Sequence, residues 1–164
     1  MNTQLLSYFR AEKAESLLFL LIGLAAIVFA VFAWMKWNEP FIKGMAIPLV
    51  LIGLIQMTVG GTVFSRTDKQ MAALNEQVVQ DPQAYRAAEL PRMEKVMKSF
   101  TAIKWMEIVF ILIGIGLLLL TKGNGLWKGA GLGLLLQGAV SLTLDVFAEK
   151  RGQEYIDAVG TLPV

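Results

Sequence analysis

Polar and ionisable side chains set inside apolar runs are where this chain could do chemistry. Gln56 and Thr58 stand in one such run, Gln137, Ser141, Thr143 and Asp145 in another, and Glu107 opens a third. Buried amides and hydroxyls of this kind bond from helix to helix, or line a path for an ion or polar solute. An acid inside an apolar span is costly and marks a functional candidate. Gln137, Ser141 and Asp145 continue a series of four-residue steps begun by Gly125, Gly129 and Gly133. Small residues so spaced let helix backbones approach closely. A four-residue step drifts by about 40° per repeat on an α-helix, so the stripe wraps and suits a crossing pair. Gly53, Gln56 and Gly60 form a shorter stripe in their own run. These five glycines are candidates for internal packing or for an interface with another chain.

Glu107 and Asp145 both fall near the ends of their runs, with Lys104, Lys150 and Arg151 close in sequence. That spacing places the two acids, and Glu15 with them, at headgroup depth, where lysine and arginine can pair or snorkel. The chain has no cysteine and no histidine. Disulfides, thiol nucleophiles, Cys/His metal sites and histidine acid–base catalysis are thereby excluded. Phosphate-binding glycine loops, nucleophile elbows and zinc-protease motifs are absent too. The sequence calls for no cofactor and reads as non-enzymatic. A net charge of +2, with basic and acidic residues interleaved, gives no nucleic-acid footprint.

The elements that must position these residues follow from hydropathy. Hydrophobic residues make up 55% of the 164 and charged residues 17%, where soluble domains carry roughly 25% charge. The apolar excess gathers in four runs, 17–35, 45–64, 105–121 and 126–147, each near the length of a membrane-spanning helix. The third is marginal and reaches that length only by including Trp105, Met106, Glu107 and Thr121. The first run reads as a span rather than a cleaved leader, because its end, Trp34-Met35-Lys36-Trp37, is no small-residue cleavage site. It contains no acid, unlike the first span of small four-helix multidrug exporters, which carries a deep glutamate.

The runs also echo one another. Leu17 to Gly23 recurs as Ile108 to Gly114, and Ile42-Lys43-Gly44 recurs as Trp127-Lys128-Gly129 with the residues that follow in step. In that register Gln56 matches Ser141, Thr58 matches Thr143, and Gly60 matches Asp145. The expected architecture is an all-α integral membrane protein built from a tandem duplicated helical hairpin, 1–80 and 81–164, as parallel repeats about a pseudo-two-fold axis. Eleven lysines and arginines fall on the side of the termini and the central segment, and four (Lys36, Lys43, Lys122, Lys128) on the side of the hairpin tips. The positive-inside rule then puts both termini in the cytoplasm of a cell (inner) membrane.

All four spans are expected to run on as helices into a cytoplasmic four-helix cap. Met71, Leu74 and Val78 recur at helical spacing after the second span, and Leu90, Met93 and Met97 before the third. Asp81-Pro82 reads as a cap and first helical residue. Pro48 reads as first-turn punctuation of the second span, and Pro91 as a helix start or kink. Such stripes want partners, which makes Met71, Leu74, Met93 and Met97 candidates for docking another protein. The function so read is protein–protein binding, accessory, regulatory or immunity-type, through these arms and the glycine face. The alternative is a small oligomeric ion channel or transporter using the polar residues of the second and fourth spans. Membrane lipids, a second copy or a protein partner are the expected company.

Overall fold

A computed structural model describes residues 3–162. The described residues form four α-helices and no strand: α1 Thr3–Lys36, α2 Pro40–Gln80, α3 Pro82–Leu120 and α4 Gly125–Gly160. All four are long and apolar enough to cross a membrane. Only 11–28% of each apolar segment is buried inside the bundle, so most of that surface is left for lipid. Local chemistry sets the boundaries. Asp81 accepts a hydrogen bond from the Ala84 N–H at 2.9 Å, with Pro82 in the first turn of α3. Asn124 caps α4 through the Trp127 N–H, after a turn in which Gly123 takes φ +77°.

Two proline readings are corrected. α2 begins at Pro40, so Pro48 lies well inside the helix and not in its first turn. Its missing N–H leaves the Gly44 carbonyl without a helical partner. α3 begins at Pro82 and continues through Pro91, so Pro91 lies inside the helix and does not start one.

The helices pack as two hairpins, α1 on α2 and α3 on α4, joined mainly by α2 against α4. α2 and α3 scarcely touch, and α1 and α3 stand apart. The ends carrying 36–40 and 120–125 are termed the tip end, and the opposite ends the terminal end. Near the tips α2 and α4 cross backbone on backbone. A Cβ on Gly129 would collide with the Phe41 carbonyl, and one on Gly44 with the Leu126 carbonyl. Gly133 takes the Pro48 ring, where a Cβ would come within 2.5 Å of Pro48 Cγ. The crossing is self-complementary in the echoed register, since Gly44 corresponds to Gly129 and Phe41 to Leu126.

The other two crossings break that register. Gly23 meets Gly53, and a Cβ on Gly23 would lie 2.6 Å from the Gly53 oxygen. Gly114, the echo of Gly23, meets Gly131 (2.7 Å by the same measure) and not Gly138, the echo of Gly53. Gly138 instead packs on Glu107 and Ile111 of α3, where Gly53 packs on Gly23 and Ile27 of α1. Relative to α1, then, α3 is slid about two turns, roughly 10 Å, toward the tips. Glu107 stands where Gly23 stands in the first hairpin.

The α2–α4 crossing tolerates no side chain at Gly129, whereas Gly116 has open space around it. Gly129→Ala is expected to cost about 1–3 kcal/mol of stability by overpacking. Gly116→Ala should be neutral or slightly stabilising. Steric-trap unfolding in bicelles reads both, and equal stability of the two variants would refute the crossing.

Candidate functional site

Between the hairpins, on the terminal side of the α2–α4 crossing, lies a cavity of about 270 Å³ walled by all four helices. Its polar floor is one hydrogen-bonded cluster. Gln56 Nε2 of α2 donates to Gln137 Oε1 at 3.1 Å and to Ser141 Oγ at 3.0 Å, both on α4. Echoed positions 56 and 141 thus meet between α2 and α4. All three side chains are buried, Gln56 to 1% exposure and Gln137 to 3%. Gln56 Oε1 and Gln137 Nε2 nevertheless have no partner.

Glu107 joins this cavity from α3 at 4% exposure, with Oε2 unpartnered. From Glu107 to the end of α3 at Leu120, at about 1.5 Å per residue, is about 20 Å. The fold thus buries Glu107 between the helices, where Gly138 of α4 packs against its backbone. The half-buried Asp145 of α4 lines the same cavity.

Of the basic residues expected to pair with these acids, Lys104 and Arg151 are engaged with other carboxylates and Lys150 is exposed. Lys104 bonds Glu149, and Arg151 pairs with Glu15 across the mouth of the cavity. Arg66 faces Glu12 at 3.8 Å. Burial pushes the Glu12 carboxyl above the usual carboxylate range, with Arg66 opposing. Glu12 and Arg66 are functional candidates that sequence reasoning missed. They fall outside the apolar runs, and only the fold turns them toward the cavity.

The remaining candidates lie elsewhere. Thr58 and Thr143 are exposed on the outer surface and bond their own helices, to the Leu54 and Ala139 carbonyls. Gly53 and Gly60 receive α1, and Gly125, Gly129 and Gly133 receive α2, so the glycine stripes are used within the chain. The arm residues turn inward as well. Leu74 (3% exposed) and Met93 (0%) are core, Met71 packs against that core, and Met97 lies against Gly152. Leu74 and Met93 are thus covered by the chain itself, the stripes of the terminal end packing on one another.

That terminal-end core holds a directed polar chain. Tyr85 O–H donates to Tyr155 Oη, Tyr155 O–H donates to Glu89 Oε1 at 2.8 Å, and Arg92 holds Glu89 with two bonds of 2.6 and 2.7 Å. Tyr8 stacks on Tyr155 with ring centroids 4.2 Å apart. Burial pushes all three tyrosines above their ordinary range.

The chain matches no protein-family model, no curated protein and no solved structure. What the site can do is therefore argued from its geometry: a deep, mainly apolar cavity with open hydrogen-bonding groups and two acids.

Two outcomes follow. A double-mutant cycle of Gln56→Leu and Ser141→Ala should give a coupling of about 0.6–2 kcal/mol, while Thr58→Val and Thr143→Val stay near zero. Zero coupling by steric-trap unfolding would remove the bond between α2 and α4. For the tyrosines, the folded state holds the protons more tightly than the unfolded chain, which titrates near pH 10. Their contribution is therefore present below about pH 10 and lost as pH rises toward the folded value. Tyrosinate absorbance should appear together with loss of the terminal-end packing. Reversible ionisation near the ordinary value, with packing intact, would contradict this.

Proposed function

We propose that this chain is a non-enzymatic multi-pass membrane protein that works by binding, and that its binding site is the cavity between the hairpins. The observation that carries the reading is a set of open polar atoms, Gln56 Oε1, Gln137 Nε2 and Glu107 Oε2, in side chains at most 4% exposed. An unpaired buried polar group costs about 1–3 kcal/mol, and hydrocarbon offers no partner. A bound molecule supplies one. A protein-binding role through Met71, Leu74, Met93 and Met97 would need those arms to open first. With eleven lysines and arginines at the terminal end against four at the tips, the positive-inside rule favours cytoplasmic termini in a cell membrane. The cavity then opens toward the inner leaflet.

A second reading is a small oligomeric channel or transporter. It is favoured by the step-of-four series Gln137, Ser141 and Asp145 leading from the terminal end into the bundle. The tight tip-end crossing of α2 and α4 disfavours an open pore within one copy. Solute flux in liposomes that changes in Asp145→Asn would move the conclusion to this reading.

The test of binding is extraction in polymer-bounded native membrane discs, with mass spectrometry of everything retained. A small molecule enriched over bulk lipid, and lost in the cavity-filling variant Val59→Trp, is the expected result. No enrichment, or enrichment indifferent to Val59→Trp, would overturn the proposal.

A further inference from the structure

We propose that the cleft takes an amphiphilic organic cation, its charged head on Glu107 and Asp145 and its apolar body lying between α2 and α3. The inference rests on the cavity being the binding site and names what the site selects.

The charge balance around the cleft points to a cation. Among the described acids near its mouth, Glu12 faces Arg66, Glu15 pairs with Arg151, and Glu149 holds Lys104. Glu107 and Asp145, deeper in, have no ion pair among the described residues. Two carboxyls lining one cavity with no ion pair of their own, the Lys104 charge near Asp145 being held by Glu149, are a poor arrangement in an apolar surround. A positive head would relieve it, and Gln56 Oε1 adds a free acceptor on the same floor. Three aromatic rings, Phe19, Phe100 and Phe110, also line the cavity, and ring faces attract ammonium groups.

Access and shape choose an organic cation over an inorganic one. Hard inorganic cations take six to eight oxygen ligands, or an octahedron with several waters. No group of three or more acids converges among the described residues. The walls are instead mainly apolar, and the gap between the scarcely touching α2 and α3 runs out to the lipid-facing surface. Its lips are the exposed side chains Ile55 and Val59 on α2, and Ile103 and Met106 on α3. A molecule dissolved in the bilayer can enter sideways there. Its tail can remain between the helices while its head reaches Glu107, so the cavity of about 270 Å³ has to hold only the head and the start of the tail.

The experiment is equilibrium binding of radiolabelled dodecyltrimethylammonium to the full chain in phosphatidylcholine nanodiscs, with empty discs as the blank. Saturable, stoichiometric binding is expected, displaced by the unlabelled cation and not by dodecyl maltoside, which has the same tail on a neutral head. Glu107→Gln combined with Asp145→Asn should weaken it by about tenfold or more. Asp145→Asn alone, at a half-buried position, serves if the double variant does not fold. Equal displacement by the maltoside, or unchanged binding in a folded carboxamide variant, overturns the cation. If dodecyl maltoside binds in a Val59→Trp-sensitive manner while the cation does not, the cavity stands as a binding site and only the cation falls. Cation binding indifferent to Val59→Trp would remove the cavity itself.

Discussion

The fold depends on one contact, the crossing of α2 and α4 at Gly44 and Gly129. Lipid tails are as apolar as the side chains they meet, so no hydrophobic force drives helices together inside a membrane. Association has to come from close packing, and packing is closest where side chains are missing. Here each glycine lies against a carbonyl of the facing helix, and Gly133 admits the Pro48 ring just beyond. The crossing sits near the tips, not at mid-length, in helices of 41 and 36 residues. The tip half of the inter-hairpin space is thereby closed and the terminal half left open. The cavity follows from where the two helices are pinned.

The second determinant is the slide of α3. Repeated sequence does not oblige repeated packing, because register between two helices is chosen by whichever small residues meet. In the first hairpin Gly23 and Gly53 meet; in the second, Gly114 takes Gly131. Both are glycine-on-glycine crossings with nearly the same spacing of backbone atoms, so close packing alone does not separate them. The choice changes what faces the cavity. Gly23 lets α1 close against α2, whereas the same level of α3 presents a carboxyl. An asymmetric site thus arises from a nearly symmetric chain.

This explains what the sequence made legible. Hydropathy gave four long helices, and Asp81-Pro82 gave the turn between the hairpins, because both signals are local. The matching of Gln56 with Ser141 was visible as an echo, but that the two side chains bond each other came only from the fold, in which α2 and α4 keep the echoed register. The burial of Glu107 was not legible, because α3 does not keep it and nothing within α3 states which glycine of α4 it will choose. What covers the arms was hidden for a related reason. Periodicity says that the face carrying Leu74 or Met93 needs covering and is silent on whether a partner or the chain's own N-terminus and tail will cover it. Leu5, Phe9, Tyr155 and Val159 do so here. Pro48 was misplaced because Pro40, an equally good helix start, lies outside the apolar run.

Two buried polar clusters among the described residues are resolved differently. At the terminal end Tyr85, Tyr155, Glu89 and Arg92 form a chain in which each donor has its acceptor. In the cavity Gln56, Gln137 and Ser141 share two hydrogen bonds and leave an acceptor and a donor open, with a Glu107 oxygen beside them. Leucine or alanine at these positions would bury no polar atom, and replacing both partners of a buried bond by apolar groups can be nearly neutral. Packing alone therefore gives no reason to keep three polar side chains and a carboxyl at this depth. The terminal-end cluster shows that the same chain can satisfy a buried network fully. The open groups of the cavity accordingly make physical sense when its contents are counted with the protein.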